Sequence, residues 1–438
     1  MKPATKKTPK KQALQSVKGM HDVLPMDGSA WEKISKTAKE VTDFYNFLTI
    51  TTPVVEPLDL YVRSTGETSD IVEKQMFTIK SKSGDQLALR PEFTPGIVRA
   101  YIQHGLSHMG SPIKLFTTGP LFRHEQPQAG RLRQFHQLDF EIISSENDPV
   151  YDAQVILACY RIIEGLKIKN IAIHVNTIGC RTCRPNYRKQ LIAFYKSREK
   201  QLCGDCKRRL PVNPLRLLDC KQPGCVAIKE TAPTILDHLC ANCKSHFKSV
   251  LEYLEDLKLP YSLNHYLVRG LDYYSKTVFE FFTESGEGEE QITYALGGGG
   301  RYDYLVEELG GRSTAAVGAA LGVERLIEVM KKRNVVPTPR VKEKVFLIYI
   351  GDLAKRKSLS LIEILREVGV NVVESLGKSS MDAQMRMANK LNAPFAFIFG
   401  QREAFEESVI VRDMKTGAQE TVPLTKVAAH IKRKLGQS

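Results

Sequence analysis

The chain has 438 residues, 42% hydrophobic and 26% charged, with a formal net charge of +14 and a pI of about 9.2. That length excludes one simple core and predicts roughly two to four domains. No apolar run approaches the roughly 20 residues of a membrane span, and no apolar segment follows the basic opening MKPATKKTPKK to make a secretory signal. The expectation is a cytoplasmic protein with no membrane partner.

Six lysines (Lys2, Lys6, Lys7, Lys10, Lys11, Lys18) precede His21 with no acidic residue among them, which leaves 14 − 6 = +8 on the body. Residues 1–16 are expected to be a disordered basic tail. A basic body suits a polyanion, because each neutralised phosphate releases counterions; charge alone leaves solubility open as the other explanation.

Ser29 follows a Pro-Met-Asp-Gly turn and is expected to cap a helix with Trp31, Ile34, Ala38, Val41 and Tyr45 on one face. FLTITTPVVEP then predicts β-structure ending at prolines. Strands are expected at Met76–Ile79 and Gln86–Arg90, and a helix over Pro149–Leu166. From Asn176 to Leu259 the chain is rich in Cys, Lys and Arg, and helical where periodic, as over Ile235–Leu257. Strand-and-glycine character returns between Asn264 and Met330. Its run Gly297–Gly300 reads, by itself, as a tight and flexible turn. A charged, proline-bearing linker follows at 333–344. Beyond it VFLIYI, NVVES and FAFIFG alternate with helical stretches near Ala354–Val368 and Asp382–Leu391, which predicts a small α/β domain with a largely parallel core. Gly377-Lys378-Ser379 lacks the upstream glycine of a phosphate loop, since position 372 is Val. No GxGxxG follows a strand, so a dinucleotide fold is not expected.

Phe122 to Glu141 is expected to form two strands joined by the polar loop QPQAGR. On the second, Gln137, Asp139 and Glu141 share a face. Three polar groups there mark either a solvent-facing sheet or a binding site, because burial without partners is unfavourable. Arg123 and Glu125, two apart on the first strand, favour a site: a guanidinium fork suits a phosphate, and a carboxylate accepts from an exocyclic amine.

Six segments occur in order: Leu89-Arg-Pro-Glu-Phe-Thr94, Phe122-Arg-His-Glu125, Arg133-Gln-Phe-His-Gln137 with Glu141, Leu267-Val-Arg-Gly-Leu-Asp-Tyr-Tyr274, Gly299-Gly-Arg-Tyr-Asp303 and Gly322-Val-Glu-Arg325. Together they resemble the histidine–tRNA ligases, class II aminoacyl-tRNA synthetases, from about Val17 to the C-terminus. The resemblance implies an α+β catalytic domain over 17–175 and 260–332, an antiparallel sheet flanked by helices. It also implies a helical Cys-rich insertion over 176–259 and an α/β anticodon-binding domain over 345–438. The helix from Ser29 and a strand ending at Pro53 would build a homodimer.

By the same resemblance Arg123 would grip the α-phosphate of ATP, Glu125 would meet the adenine amine, and Arg325 would hold the far end of the nucleotide, with Mg²⁺ on its outer phosphates. Glu92, Thr94 and Gln137 suit the ammonium of L-histidine as acceptors. Glu141 and Tyr274 would bracket its ring, and Tyr273 and Tyr302 would wall the pocket. Arg269 would stabilise charge as the substrate carboxylate attacks phosphorus. The tRNA(His) acceptor end is expected near Gln126, Gln128 and Arg131; the family commonly has Arg where this chain has Gln126.

All nine cysteines lie between Cys159 and Cys243, eight of them as Cys180/Cys183, Cys203/Cys206, Cys220/Cys225 and Cys240/Cys243. In a cytosol such pairs point to metal or redox chemistry. The 19 residues between Cys183 and Cys203 fit a zinc template that joins the first two pairs. Eight thiolates suffice for two structural Zn²⁺ ions; free thiols without function are the alternative. NPLRLLDCK (Asn213 to Lys221) resembles the insertion of some bacterial members, thought to clasp the acceptor stem.

Other readings are a non-catalytic, histidine-sensing relative serving as regulatory subunit of ATP phosphoribosyltransferase, and a different class II synthetase. The sensing relative would be expected to lose Arg269 or the C-terminal domain, and LVRGLDYY argues against another synthetase. A pure RNA-binding module would explain the charge and not the polar clusters.

Overall fold

The computed structural model describes residues 14–66, 69, 71–126, 130–285, 292–338, 344–377 and 380–436. Gln128, most of the basic tail, and Lys378 and Ser379 lie outside them. The chain divides into two compact units, Met1–Pro337 and Thr338–Ser438.

The first unit is organised by an eight-stranded sheet. Its strands run in spatial order Leu48–Thr49, Ile113–Phe122, Gln134–Ser144, Ala315–Gly322, Ile292–Arg301, Ser275–Ser285, Ile171–Thr177 and Tyr261–Leu263. The two edge pairings are parallel and the inner ones antiparallel. Helices Gly28–Phe44 and Val150–Gly165 pack on it, with Ala30, Ile34 and Ala38 of the first meeting Val155, Ile156 and Ile162 of the second in one core. Each fully buried Val or Ile side chain here contributes about 1.5–3 kcal/mol. Trp31, Val41 and Tyr45 flank that core half-buried, as the periodicity predicts. The helix begins at Gly28 with Asp27 before it, so Ser29 lies inside the first turn and caps nothing.

The predicted strand ending at Pro53 splits in two. Leu48–Thr49 joins the edge of the large sheet, while Val55–Pro57 pairs with Gln86–Leu89 in a separate three-stranded sheet that includes Thr78–Lys80. Pro53 lacks the N–H a continuous ladder requires there. The run Gly297–Gly300 is no turn; it lies within the strand Ile292–Arg301, at the middle of the sheet.

Helices Arg184–Lys196, Gly204–Val212, Pro223–Lys229 and Ala241–Asp256 make up the Cys-rich region, three of them around a core of Tyr187, Leu191, Tyr195, Leu202 and Leu210. The helix expected from Ile235 breaks. A 3₁₀ turn spans Ile235–His238, and Cys240 is extended (φ −68°, ψ 162°) before the helix starts at Ala241.

The second unit has a five-stranded sheet in the order Val372–Glu374, Val345–Tyr349, Phe395–Phe399, Ser408–Asp413 and Gln419–Pro423. The first three strands are parallel, as their βαβα alternation predicts, and the last two add antiparallel pairings. No described helix is long and apolar enough to cross a membrane.

Candidate active site

The strand Ile113–Phe122 ends where Phe122 faces Gln134, so Arg123 and Glu125 sit in the loop beyond it and not on the strand as expected. The chain turns there because Arg123 N–H bonds Arg133 O at 2.9 Å and Glu125 N–H turns back to Arg123 O at 2.8 Å. Gln137, Asp139 and Glu141 do share a face of Gln134–Ser144. It is covered: Asp139 is 4% and Glu141 0% exposed, and Gln137 is half-buried.

Glu141 is held by two hydroxyls. Thr94 donates to Oε1 and Tyr302 to Oε2, each at 2.6 Å. Thr94 opens the helix Thr94–Gln103, and Tyr302 follows the glycine strand. Glu92 accepts from the Tyr273 hydroxyl at 2.7 Å through Oε2, while its buried Oε1 has no partner among the described residues. The Tyr273 ring lies 4.6 Å from that of Tyr274 and 5.8 Å from that of Tyr302. Six predicted amino-acid-site residues (Glu92, Thr94, Glu141, Tyr273, Tyr274, Tyr302) thus form one buried polar box.

Three carboxylates so close and so dry resist ionisation. Burial lifts Glu92 to about 7, against the pull of the Tyr273 hydroxyl and of Arg123. Burial lifts Glu141 to about 8, against its bonds from Thr94 and Tyr302 and with Glu92 adding to the rise. Asp139 is pushed well above the usual range by burial and then by Glu141 and Glu92, and its Oδ2 has no partner among the described residues. An unpaired acceptor beside a hydroxyl-lined wall suits a cationic ammonium and an imidazole N–H.

The glycines explain how these groups approach the sheet. A Cβ at Gly318 would lie 1.7 Å from Glu141 Oε2, one at Gly300 2.9 Å from the Tyr274 ring, and one at Gly298 2.8 Å from Arg269 Nη1. The run is a floor without side chains, a role that sequence spacing does not announce.

Arg269 is partly buried. Its Nη1 lies 3.8 Å from Glu280, its guanidinium 5.9 Å from the Tyr274 ring, and its Nε has no partner among the described residues. Glu280, on the strand Ser275–Ser285, carries no motif signal. Arg123 donates through Nε to Pro91 O at 3.0 Å and stacks 5.2 Å from Phe135, next to the Glu92 wall. Arg325 donates to Ala295 O at 2.7 Å and to Gly130 O at 3.3 Å, and burial, followed by Arg131, holds its guanidinium below the ordinary value. Arg131 in turn meets Glu125 at 3.5 Å. Arginines gathered at so little distance want a polyanion between them. Gln126 is exposed beside them. Arg301 of the GGRYD segment is structural: it is 1% exposed and binds Asp152, Asp303, Asn147 and the Asp148 carbonyl.

The eight paired cysteines converge as two groups of four, Cys180, Cys183, Cys240 and Cys243, and Cys203, Cys206, Cys220 and Cys225. The template joining Cys180/Cys183 to Cys203/Cys206 is therefore overturned: the insertion folds back so that its first pair meets its last.

An antiparallel sheet flanked by helices, with an arginine cluster beside a polar box, is the catalytic domain of a class II aminoacyl-tRNA synthetase. The histidyl-tRNA synthetase family model matches residues 19–326, and an anticodon-binding domain model matches 344–434. The chain belongs to the histidyl-tRNA synthetase family. It is 42% identical over 421 residues to a histidine–tRNA ligase of Dehalococcoides mccartyi, covering 96% of this chain and all of the relative. It is 44% identical over 416 residues to that of Aquifex aeolicus, covering 94% and 100%. The crystal structure of apo S. aureus histidyl-tRNA synthetase superimposes with a TM-score of 0.78 at 31% identity, over 96% of this chain and 100% of that one.

Proposed function

We propose that the chain activates L-histidine with ATP and transfers it to the 3′ end of tRNA(His). The box around Glu92 and Glu141 carries this reading. It offers one unpaired carboxylate oxygen for the ammonium, with Glu141 and Tyr274 for the ring nitrogens; Thr94 supports Glu141, and Gln137 stands at the box's outer end. A ligand without a polar ring would strand these groups, a discrimination of roughly 10⁴ or more.

ATP would lie across the arginines, with Arg123 on the α-phosphate, Arg325 at the far end and Glu125 on the adenine amine, while Mg²⁺ would offset charge on the outer phosphates. The histidine carboxylate would attack the α-phosphorus and pyrophosphate would leave. Arg269 would then face the charge that builds on the phosphoryl oxygens and move no proton. The tRNA 3′-terminal hydroxyl would next attack the adenylate carbonyl, releasing AMP, with Gln126, Gln128 and Arg131 near the acceptor end and the second unit at the anticodon. A histidine-sensing regulatory relative is the other reading; the retained Arg123, Arg269 and Arg325 and the anticodon-binding domain count against it.

We also read the protein as a cytoplasmic homodimer whose insertion holds structural Zn²⁺. Exposed Phe44 at the end of the first helix and exposed Leu48, Val54 and Val55 in the chain that follows support the dimer contact. The deciding assay is ATP–pyrophosphate exchange with each amino acid in turn; a folded preparation that shows none with histidine refutes the enzyme.

A further inference from the structure

We infer that two Zn(Cys)₄ sites in the insertion set the posture of the catalytic loop that carries Arg269 and Tyr274. The link to catalysis rests on the activity proposed above; the metal sites themselves do not.

Within each group of four the Sγ atoms lie no more than 4.8 Å apart. The nearest separations are 3.6 Å for Cys180–Cys183, 3.9 Å for Cys180–Cys240 and 3.9 Å for Cys203–Cys220. Zn–S bonds of about 2.3 Å in a tetrahedron place sulfurs about 3.8 Å apart, whereas a disulfide needs about 2.05 Å. The cysteines are unbridged, and the spacing is that of a metal shell. Backbone N–H groups donate to the sulfurs, from Thr182 to Cys180 at 3.3 Å, from Cys240 to Cys183 at 3.1 Å and from Cys203 to Cys225 at 3.3 Å. Cys183, Cys203 and Cys240 each stand at a helix N-terminus. Each site would hold one Zn²⁺ through four thiolates, with a net charge of −2 and no open position for a substrate. No histidine stands in either set.

The two sites have different duties. Cys180/Cys183 and Cys240/Cys243 bracket the insertion, so the first site ties its entrance to its exit. The second folds its middle, where Cys206 and Cys220 flank the segment Val212–Asp219. From these two places the insertion reaches the catalytic loop. Arg184, next to Cys183, donates to Tyr274 O at 2.6 Å. Asn213 donates to Asp272 Oδ1 at 2.7 Å, and Arg216 to the carbonyl of Arg269 itself at 3.2 Å. A cavity of about 220 Å³ lies between the insertion and the loop, lined by Leu215, Val268 and Leu271. The loop also packs: Val268 lies against the insertion's core, while Leu267, Tyr273 and Tyr274 are buried in the neighbouring core, so the segments that the cysteines fix bear on it through both polar and apolar contacts.

The full-length chain, purified without chelator, is expected to carry two zinc ions by elemental analysis. Cobalt in their place should show the intense thiolate charge-transfer bands of Co(Cys)₄. Cys220→Ser with Cys225→Ser should leave one zinc and slow histidine-dependent pyrophosphate exchange about tenfold or more, since small misplacements of reacting groups are that expensive. Because this variant can lose the insertion fold, Arg216→Ala is measured beside it, and should keep both ions yet show a reduced exchange rate. A folded chain without zinc, or with iron instead, overturns the sites. Unimpaired exchange in Arg216→Ala severs the link to the loop. Two bound zinc ions in a wild-type chain that does not activate histidine would instead refute the proposed activity and leave the sites standing.

Discussion

Tyr302 donates its hydroxyl to Glu141 at 2.6 Å directly above Gly318, whose missing side chain is the space that Glu141 Oε2 fills. The ligand wall thus depends on an absent methyl group as much as on the groups present. Gly318→Ala should drive Glu141 off its two hydroxyls, because the new Cβ and the carboxylate cannot share the position. We expect the KM for histidine to rise by a factor on the order of 100, with the KM for ATP nearly unchanged. An unaltered histidine KM would remove Glu141 from the binding site.

Arg269→Ala tests the division between binding and chemistry. If its guanidinium meets charge that develops only during phosphoryl transfer, both substrates should still bind while adenylate formation falls by a factor of hundreds, on the order of 3–4 kcal/mol. Equal losses in histidine affinity and turnover would make it an ordinary binding residue.

Glu92 links pH to stability. Its folded-state value of about 7 exceeds the ordinary carboxyl value, so the folded protein holds that proton more tightly than the unfolded chain does. The associated stability is present in full below the unfolded value, near pH 4.5, and is lost as pH rises through 7. By pH 8 the loss is on the order of 3 kcal/mol for a group this buried. Denaturant titrations should therefore show Glu92→Gln gaining on the wild type between pH 5 and pH 8. Saturating histidine should reverse the order at pH 8, since an ammonium favours the carboxylate. A pH-independent difference between the two proteins would contradict the assignment.

Arg301→Met takes from the buried Asp152 its main cationic partner. Burial raises the Asp152 carboxyl, yet Arg301 and His246 hold it far below the usual range. Breaking such a pair is destabilising by about 3–5 kcal/mol, and thermal unfolding of the first unit should report it. Arg301→Met with Asp152→Leu should recover much of that loss; no recovery would point to the Asp303 and Asn147 contacts as the dominant ones.

The sequence made some of this legible and hid the rest for identifiable reasons. Local periodicity sufficed for the helices Gly28–Phe44 and Val150–Gly165 and for the α/β alternation of the second unit, because those elements bury one face against a near neighbour. The shared face of Gln137, Asp139 and Glu141 followed from strand geometry alone. The turn at Arg123 was not readable, since it depends on the partner strand starting at Gln134. Nor was the place of Gly297–Gly300: glycines form a strand there because Tyr274, Arg269 and the backbone of Ala315–Gly322 crowd in from distant segments. Cysteine spacing announced a metal-like pattern but could not say which pairs join, since connectivity depends on where the insertion folds back.

The order of the large sheet has a consequence for biosynthesis. The strand Gln134–Ser144 has Ile113–Phe122 on one side and Ala315–Gly322 on the other. A ribosome that has not yet reached Gly322 therefore carries a nascent chain with Glu141 on an open sheet edge, and pairing this distant is slow to form. The insertion, whose last cysteine is Cys243, is complete well before then. During translation the Cys-rich insertion can mature first and wait, while the catalytic sheet closes only when its final strand emerges.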